Sequence, residues 1–502
     1  MKKLVALLLT VVMVISVFTG CSKNEGGSSN NGGSSNGGSS ADGSVTINVY
    51  RPNFNLEGGP DTAQVKKVES AVNAYLKEKN LGVQVNITEI TSNEYTEKAN
   101  LALGNNEINL LWTASWEGTI GTNDLVPKNA VYDITDLVKG TTLYNSMDEG
   151  QWEASKYNGR IYFIPVYKDN VEGYDLMFRQ ELIDKHNWNI ANIKKLADLD
   201  PILADCKADG LKYPLLLQKT AMFYRFYIDK FDFFTANSAS NFVSVDRATN
   251  SVVNTITTPE YKEYCKQIAK WAAAGYISED EVTKTVTDTT TQSKNWGVSW
   301  WTDIPVNDEA DTRYGQDVTM TPITQRWAHS TSALGSCYCV TKNCNETQAK
   351  ACIDFMGLLY TDSKLADMWT FGIEGEDFTY TADHRVTSTS TKYNHGMWES
   401  ASATIVSPLD NEPTNKADLY KGFNGGANTS CAAGFRFDRS KVDSELAACE
   451  SVFEQYGFPL ELGGIAEADV DSTLAAYQAA LDEAGYQKVL AEFQSQYDAW
   501  KK

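Results

Sequence analysis

The chain has 502 residues, with 44 basic against 65 acidic side chains and a formal net charge of −21. Its length allows two or three domains, and a hydrophobic fraction of 42% is ordinary for a folded protein that is exposed to water. A surface this acidic repels phosphate backbones, which excludes nucleic acid as the expected partner.

A basic start and an apolar run open the chain. Lys2 and Lys3 precede residues 4–18, a run shorter than the about 20 residues that a spanning helix needs, so residues 1–20 are typical of a secretory signal peptide. Phe18-Thr19-Gly20-Cys21 resembles the lipobox of bacterial lipoproteins, although phenylalanine stands where leucine is usual. An ordinary signal peptide with a cysteine nearby is the alternative. We expect Cys21 to be acylated and to anchor the protein at the extracellular face of a bacterial membrane.

A linker of low complexity follows the cysteine. Residues 21–44 consist almost entirely of Gly, Ser and Asn, which cannot bury apolar surface. A disordered chain of this length has an r.m.s. reach of about 25–30 Å. We therefore expect a tethered body that turns freely above the membrane.

The first part of the body alternates between two hydrophobic periods. Period two predicts strands at 45–50 and 83–87, helical spacing predicts helices at 62–80 and 93–103, and a short apolar run covers 108–112. The order strand–helix–strand–helix–strand is typical of a parallel sheet with right-handed crossovers.

The same α/β pattern recurs later in the chain. Helices are predicted at 174–187, 221–234, 259–274 and 346–360, and strands at 213–217, 296–301, 318–323 and 334–341. Apolar stripes indicate two C-terminal helices around Tyr477 and Phe493. Two α/β units suggest two lobes that face a cleft, where ligands bind beyond the carboxyl ends of the strands.

Side chains at the predicted strand ends and crossings are the candidates for ligand binding. Sugar rings combine an apolar C–H face with hydroxyl edges, so they suit an aromatic platform flanked by hydrogen-bonding groups. The candidates are Arg51, Asn53, Trp112, Trp116, Glu117, Tyr167, Lys168, Asp169, Trp300, Trp301, Arg326 and Trp327.

Several of these candidates also have a structural interpretation. Trp116, beyond its strand, favours a site, whereas Trp112 and Trp300 fit a core equally well. Residues 167–169 fit a hinge as well as a site. Adjacent strand residues point to opposite faces, so we expect at most one of Trp300 and Trp301 to line the cleft.

No motif indicates catalysis, a metal or another cofactor. The four histidines are scattered, and the sequence contains neither H-E-x-x-H nor a phosphate-binding loop. Cys337-x-Cys339 is too closely spaced for a usual zinc pair, and the eight cysteines after Cys21 favour buried thiols with one or two disulfides at most. A secreted glycoside hydrolase is the rival from another class, because carboxylates and tryptophans also line such sites.

Several stretches together resemble the extracellular solute-binding lipoproteins of ABC importers, in particular the LipO-like branch related to maltodextrin-binding proteins. These stretches are KYNGRIYFIP at 156–165, LMFRQEL at 176–182, YTD at 360–362, GIEG at 372–375 and the ending at 484–500. The resemblance implies an α/β, two-lobed periplasmic-binding-protein-like fold of type II, with two discontinuous lobes joined by hinge crossings. It places the first lobe at 45–167 and 333–395, and the second at 168–332 and 396–502.

The same resemblance implies a monomeric binding protein without catalytic chemistry, which delivers its ligand to ABC permease subunits. Members of the family differ widely in ligand, so the ligand does not transfer. Aromatic content favours an oligosaccharide. The alternative within binding proteins is a peptide, whose carboxylate Arg51 or Arg326 would bind.

Overall fold

The computed structural model describes residues 43–56, 58–218, 223–234, 242–283, 293–306, 315–329 and 331–501. The predicted signal peptide, Cys21 and the linker up to residue 42 lie outside these ranges. Within the same ranges, no helix combines the length and apolar content that crossing a membrane requires.

The strands are numbered in chain order. They are β1 Val45–Asn53, β2 Val83–Thr91, β3 Leu110–Thr113, β4 Lys156–Tyr157, β5 Arg160–Ile161, β6 Phe163–Pro165, β7 Tyr174–Arg179, β8 Tyr213–Leu215, β9 Phe231–Phe233, β10 Val243–Asp246, β11 Ser251–Asn254, β12 Trp296–Thr302, β13 Val318–Pro322, β14 Trp327–Ala328, β15 Cys337–Val340, β16 Phe378–Tyr380, β17 Val386–Ser388 and β18 Asn428–Thr429.

Helices separate most of these strands. The α-helices are Thr62–Glu78, Ser92–Gly104, Thr122–Leu125, Thr135–Val138, Thr142–Asn145, Glu149–Ser155, Gln180–His186, Asp200–Ala208, Phe223–Phe226, Pro259–Ala273, Glu279–Val282, Glu346–Leu359, Ser363–Phe371, Met397–Ser400, Lys416–Gly425, Asp443–Val452, Phe458–Leu462, Val470–Glu483 and Tyr486–Trp500.

The first lobe is built on a five-stranded sheet of order β2-β1-β3-β15-β6. β1 runs parallel to β2 and β3, as the sequence predicts, and β15 is antiparallel to β3 and β6. The helix Thr62–Glu78 begins where the Asp61 carboxylate accepts the Gln64 N–H at 3.0 Å. Its apolar stripe is buried against this sheet.

The second lobe is built on a four-stranded sheet of order β13-β7-β12-β8. The predicted helix at 174–187 is wrong in its first half, because Tyr174–Arg179 forms β7 and only Gln180–His186 is helical. All six residues of β7 are buried, so the strand shows no polar alternation. The predicted helix at 221–234 is shorter than expected: Phe223–Phe226 is helical, and β9 then pairs with β10.

Two large apolar clusters correspond to the two sheets. The first joins residues 47–167 to residues 334–420, and the second joins residues 176–298 to residues 432–497. The chain therefore passes three times from one cluster to the other. Met397, Val406 and Tyr420 belong to the first cluster. This cluster therefore includes residues that follow residue 395.

The cysteines after Cys21 are all free thiols in the structure, so the one or two possible disulfides are not formed. Seven of them are buried and Cys431 is exposed.

Candidate functional site

A cavity of about 330 Å³ lies between the two lobes. Its wall combines the loop after β3, two crossings of the chain, and the edge of the second lobe. The lining residues are Ser115, Trp116, Lys168, Asp169, Val171, Glu172, Tyr174, Tyr224, Arg225, Phe233, Thr302, Thr331, Ser332 and Gly335. A second cavity of similar volume lies within the second lobe, near Ile193 and Tyr227, and has no residue from the first lobe.

An aromatic cluster supports the first-lobe side of the cavity. It consists of Phe54, Trp112, Trp116 and Trp398, with contacting ring centroids 5.0 to 6.4 Å apart. Trp116 is 44% exposed, and its indole N–H donates to the Gly335 carbonyl at 2.7 Å. Trp112 is fully buried and donates to the Ser336 hydroxyl at 3.0 Å. Trp116 is thus the member of the aromatic cluster that lines the cavity.

A carboxylate with three hydrogen-bond donors faces the cavity from the crossing into the second lobe. Glu172 accepts from the hydroxyls of Tyr174 and Tyr224, and His329 Nε2 lies 2.5 Å from its other oxygen. Burial alone would raise the pKa of the Glu172 carboxyl, but the His329 charge and these hydrogen bonds lower it to about 2. The carboxylate therefore stays ionised at neutral pH.

Cationic and aromatic groups complete the second-lobe wall. The Arg225 guanidinium stacks over the Trp300 ring, 3.8 Å from its centroid. Trp300 packs against the second apolar cluster, whereas Trp301 packs on the other face of the sheet with Met177 and Trp296. This opposite orientation is what strand geometry predicts, and neither tryptophan lines the cavity.

The predicted residues of the first crossing divide between cavity and core. Lys168 and Asp169 line the cavity as an ion pair with an N···O distance of 3.1 Å. Tyr167 is 4% exposed and belongs to the first apolar cluster. Burial raises the pKa of its hydroxyl.

Three predicted polar residues near the strand ends of the first sheet are buried and bonded within the protein. Arg51 pairs with Glu89 and donates to the Trp369 carbonyl at 3.0 Å. The Asn53 side chain accepts two backbone N–H groups of the following loop. Glu117 accepts from the Thr96 hydroxyl at 2.5 Å, and burial raises its pKa. None of the three lines the cavity.

Arg326 and Trp327 lie on the second crossing, beside the cavity wall. The Arg326 Nε contacts Asp303 at 2.5 Å, and its guanidinium covers Phe423. Trp327 pairs through its backbone with Glu172 in both directions at 2.9 Å, and its indole donates to Asp229 at 2.7 Å. Trp327 thereby fixes the backbone of a lining residue without lining the cavity itself.

The second-lobe wall of the cavity was not predicted from the sequence. Tyr174 and Thr302 stand opposite each other in antiparallel strands, Thr302 at the carboxyl end of β12 and Tyr174 at the amino end of β7, so ligand binding beyond carboxyl ends points to Thr302 and not to Tyr174. Tyr224 and Arg225 lie in a four-residue helix without a motif. Among the described residues, no group of three or more His, Cys, Asp or Glu side chains is assembled for a metal ion.

Two family models match this chain. The first, described as bacterial extracellular solute-binding protein, covers residues 70–375. The second, a domain of unknown function (DUF3502), covers residues 431–502. The chain is also 26% identical over 387 residues to a carbohydrate ABC transporter substrate-binding protein of Streptococcus pneumoniae serotype 4, spanning 75% of this chain and 77% of that protein.

Solved structures share the fold over nearly the whole chain. The N-glycan transport solute binding protein NgtS of Streptococcus pneumoniae gives a TM-score of 0.77 at 23% identity, over 91% of this chain and 99% of that one. Its complexes with Man1GlcNAc and Man5GlcNAc give 0.70 and 0.67. An HMO-binding solute binding protein of Bifidobacterium longum infantis gives 0.64 at 15% identity, over 92% of this chain and 100% of that one. The predicted two-lobed α/β fold of type II is confirmed.

Proposed function

The chain belongs to the bacterial extracellular solute-binding proteins, and we propose that it captures an oligosaccharide between its lobes and delivers it to ABC permease subunits. It is a binding protein, not an enzyme, as are the proteins to which it is similar. Those relatives include carbohydrate and N-glycan binders, which supports a sugar as the ligand class.

The observation that carries the proposal is one cavity with an aromatic wall on one side and a hydrogen-bonding wall on the other. Trp116 presents an exposed indole from the first lobe, and the Glu172 carboxylate with its two tyrosine hydroxyls lies on the other side. A sugar ring presents an apolar face to the first wall and hydroxyl edges to the second.

Both walls are needed to reach a useful affinity. An aromatic contact contributes about 0.5–1.5 kcal/mol beyond burial, whereas micromolar binding corresponds to about −8 kcal/mol. Stacking on Trp116 therefore has to be joined by hydrogen bonds that the sugar hydroxyls donate to Glu172 and accept from Arg225 and Lys168. Closure of the lobes around the sugar would bring these groups together and present the closed form to the permease.

Replacing Trp116 by alanine tests the platform. We expect Trp116→Ala to weaken binding of Man5GlcNAc at least tenfold, about 1.4 kcal/mol, with the fold intact. Calorimetric titration measures this, and Trp500→Ala is the matched control because Trp500 is also partly exposed, at 37%, and lies outside the cavity. Unchanged affinity in Trp116→Ala would remove Trp116 from the site.

A screen of ligands separates the proposal from its rivals. Thermal shifts with oligosaccharides but not with peptides support an oligosaccharide as the ligand, and the reverse pattern would support a peptide receptor. Release of smaller sugars from a bound oligosaccharide would indicate a hydrolase and would contradict a transport role.

Membrane attachment is the second part of the proposal. The lipobox-like sequence ending at Cys21, followed by a Gly/Ser/Asn linker, supports acylation of this cysteine. Stable anchoring takes more than one acyl chain, since each buried CH₂ contributes about 0.8 kcal/mol. We expect Cys21→Ser to move the protein from the membrane fraction to the medium, and Cys431→Ser, at an exposed cysteine, to leave it attached.

A further inference from the structure

Four ionisable side chains form a buried charge cluster in the first lobe. They are Arg51, Glu89, His395 and Glu399, each with a side chain about 1% exposed. Glu89 binds Arg51 and lies 3.0 Å from His395 Nε2, while His395 Nδ1 lies 3.5 Å from Glu399 Oε1. With His395 protonated the cluster has two positive and two negative charges, and without that proton a buried carboxylate is left uncompensated, which is costly.

The buried charge cluster is joined to the aromatic cluster at Phe54. Asn53 Nδ2 donates to Glu89 Oε2 at 3.4 Å and to the carbonyl of Asn394, the neighbour of His395, at 3.3 Å, and Asn53 Oδ1 accepts the backbone N–H groups of Asn55 and Leu56 at 3.1 and 3.0 Å. These bonds fix the backbone on the C-terminal side of Phe54, whose ring lies 5.0 Å from that of Trp398.

A second connection runs through Glu399 to Trp398. Glu399 Oε1, which faces His395, also accepts the Gly396 N–H at 2.9 Å. This hydrogen bond caps the N-terminus of the short helix Met397–Ser400. The Trp398 indole folds over Gly396, where an added Cβ would lie 2.4 Å from its Nε1. The position of Trp398 therefore depends on the same carboxylate that contacts His395.

We propose that His395 is a positioning residue for the aromatic cluster: protonated between Glu89 and Glu399, it holds Phe54 and Trp398 where they support Trp116 as the sugar platform. The platform role of Trp116 rests on the proposed function. The link from His395 to the arrangement of the indoles does not, and it is measurable without ligand.

The proposal predicts a pH dependence with a definite sign. The groups that face His395 are Arg51 of β1, Glu89 of β2, the Tyr393 ring and Glu399, with Tyr338 of β15 near Arg51. Burial and Arg51 lower the pKa of His395, but Glu89 and Glu399 outweigh them and raise it above its usual 6.5. A raised pKa means that the bridging form is complete below pH 6.5 and is lost as the pH rises through the higher value.

Near-ultraviolet circular dichroism of the ligand-free protein between pH 5.5 and 9.5 tests this link directly, since the spectrum reports how the indoles contact one another. We expect a transition with a midpoint above pH 6.5 in the wild type, its loss in His395→Gln, and its retention in His384→Gln, at an exposed histidine stacked on Tyr380. If His395→Gln fails to fold, Glu399→Gln serves instead and should lower the midpoint. The absence of a transition in the folded wild type, or its persistence in His395→Gln, would overturn the proposal.

Affinity measurements then connect the arrangement to binding. Wild-type affinity for Man5GlcNAc should fall about threefold to tenfold across the same pH transition, and His395→Gln should bind weakly with a flat profile. A dichroism transition without any change in affinity would keep His395 as the positioning residue of the aromatic cluster while rejecting Trp116 as the platform. The two proposals thus fail separately.

Discussion

The carboxyl group of Glu461 lies in the second lobe, where the Tyr261 hydroxyl donates to it at 3.0 Å. Burial raises the pKa of this group to about 8. In the unfolded chain the same carboxyl loses its proton near its usual value, so between about pH 4.5 and pH 8 the native state holds the extra proton. Stability therefore falls as the pH rises through this interval.

This single side chain yields a prediction for stability. The contribution of Glu461 should decline by about 3 kcal/mol between pH 4 and pH 7, from the difference of the two pKa values. We expect Glu461→Gln to remove that decline and to unfold at higher urea concentration than the wild type at pH 7 to 8. Glu483→Gln, at an exposed glutamate, should leave the dependence of stability on pH unchanged. If Glu461→Gln also left it unchanged, the Glu461 carboxyl would be ionised in the native state and the prediction would be wrong.

At the scale of residues, the sequence locates candidates better than it predicts their surroundings. Period-two alternation puts Arg51, and a short apolar run puts Trp112, near the ends of their strands, which is where they are. Their burial depends on partners far along the chain: Arg51 donates to Tyr393, 342 residues away, and Trp112 to Ser336, 224 residues away. Such partners leave no local pattern, so a surface site and a buried ion pair look alike in sequence.

At the scale of elements, amphipathic helices are predicted from their stripe, whereas the fully buried strand β7 is not predicted. The helix Thr62–Glu78 has one buried stripe, begins at the predicted residue and ends two residues earlier than predicted. β7 is covered on both faces, so its sequence YDLMFR lacks the alternation of a half-buried strand and fits a helix equally well.

The close contact of β12 with the helix Asp200–Ala208 gives a prediction at this scale. A Cβ on Gly297 would lie 2.3 Å from Cys206 Sγ and 2.9 Å from the Pro214 carbonyl oxygen. We expect Gly297→Ala to lower the free energy of unfolding by about 1–3 kcal/mol through overpacking, measured by urea denaturation.

Two further variants define the cause of that loss. Adding Cys206→Ala should recover part of it, because the sulfur is removed while the Pro214 carbonyl remains. Gly104→Ala, where an added Cβ has no neighbour within 4 Å, should be neutral or slightly stabilising. Equal losses in the single and double variants would rule out the sulfur contact as the source.

At the scale of the whole molecule, the lobes are joined by crossings and by contacts beside them. Asn424 bonds to the first crossing in both directions, donating to the Lys168 carbonyl at 2.7 Å and accepting the Asn170 N–H at 2.9 Å. Arg436, from the matched domain of unknown function, donates to the Ala154 carbonyl at 2.7 Å. The C-terminal segment therefore contacts the first lobe as well as the second.

Ligand binding should change the shape of the molecule as well as its stability. We expect an oligosaccharide at 100 times its Kd to raise the free energy of unfolding by about 2.7 kcal/mol and to reduce the radius of gyration in solution scattering. Stabilisation without compaction would contradict lobe closure.

The position of β15 in the first sheet bears on how the protein is made. This strand lies between β3 and β6, and its Cys337 pairs with Thr113, which precedes it by 224 residues. Until the ribosome has added residue 340, the sheet lacks a central strand and the first lobe cannot complete its core. Pairings this distant also close slowly. A first lobe that cannot finish folding during two thirds of synthesis favours the unfolded state that translocation across a membrane requires.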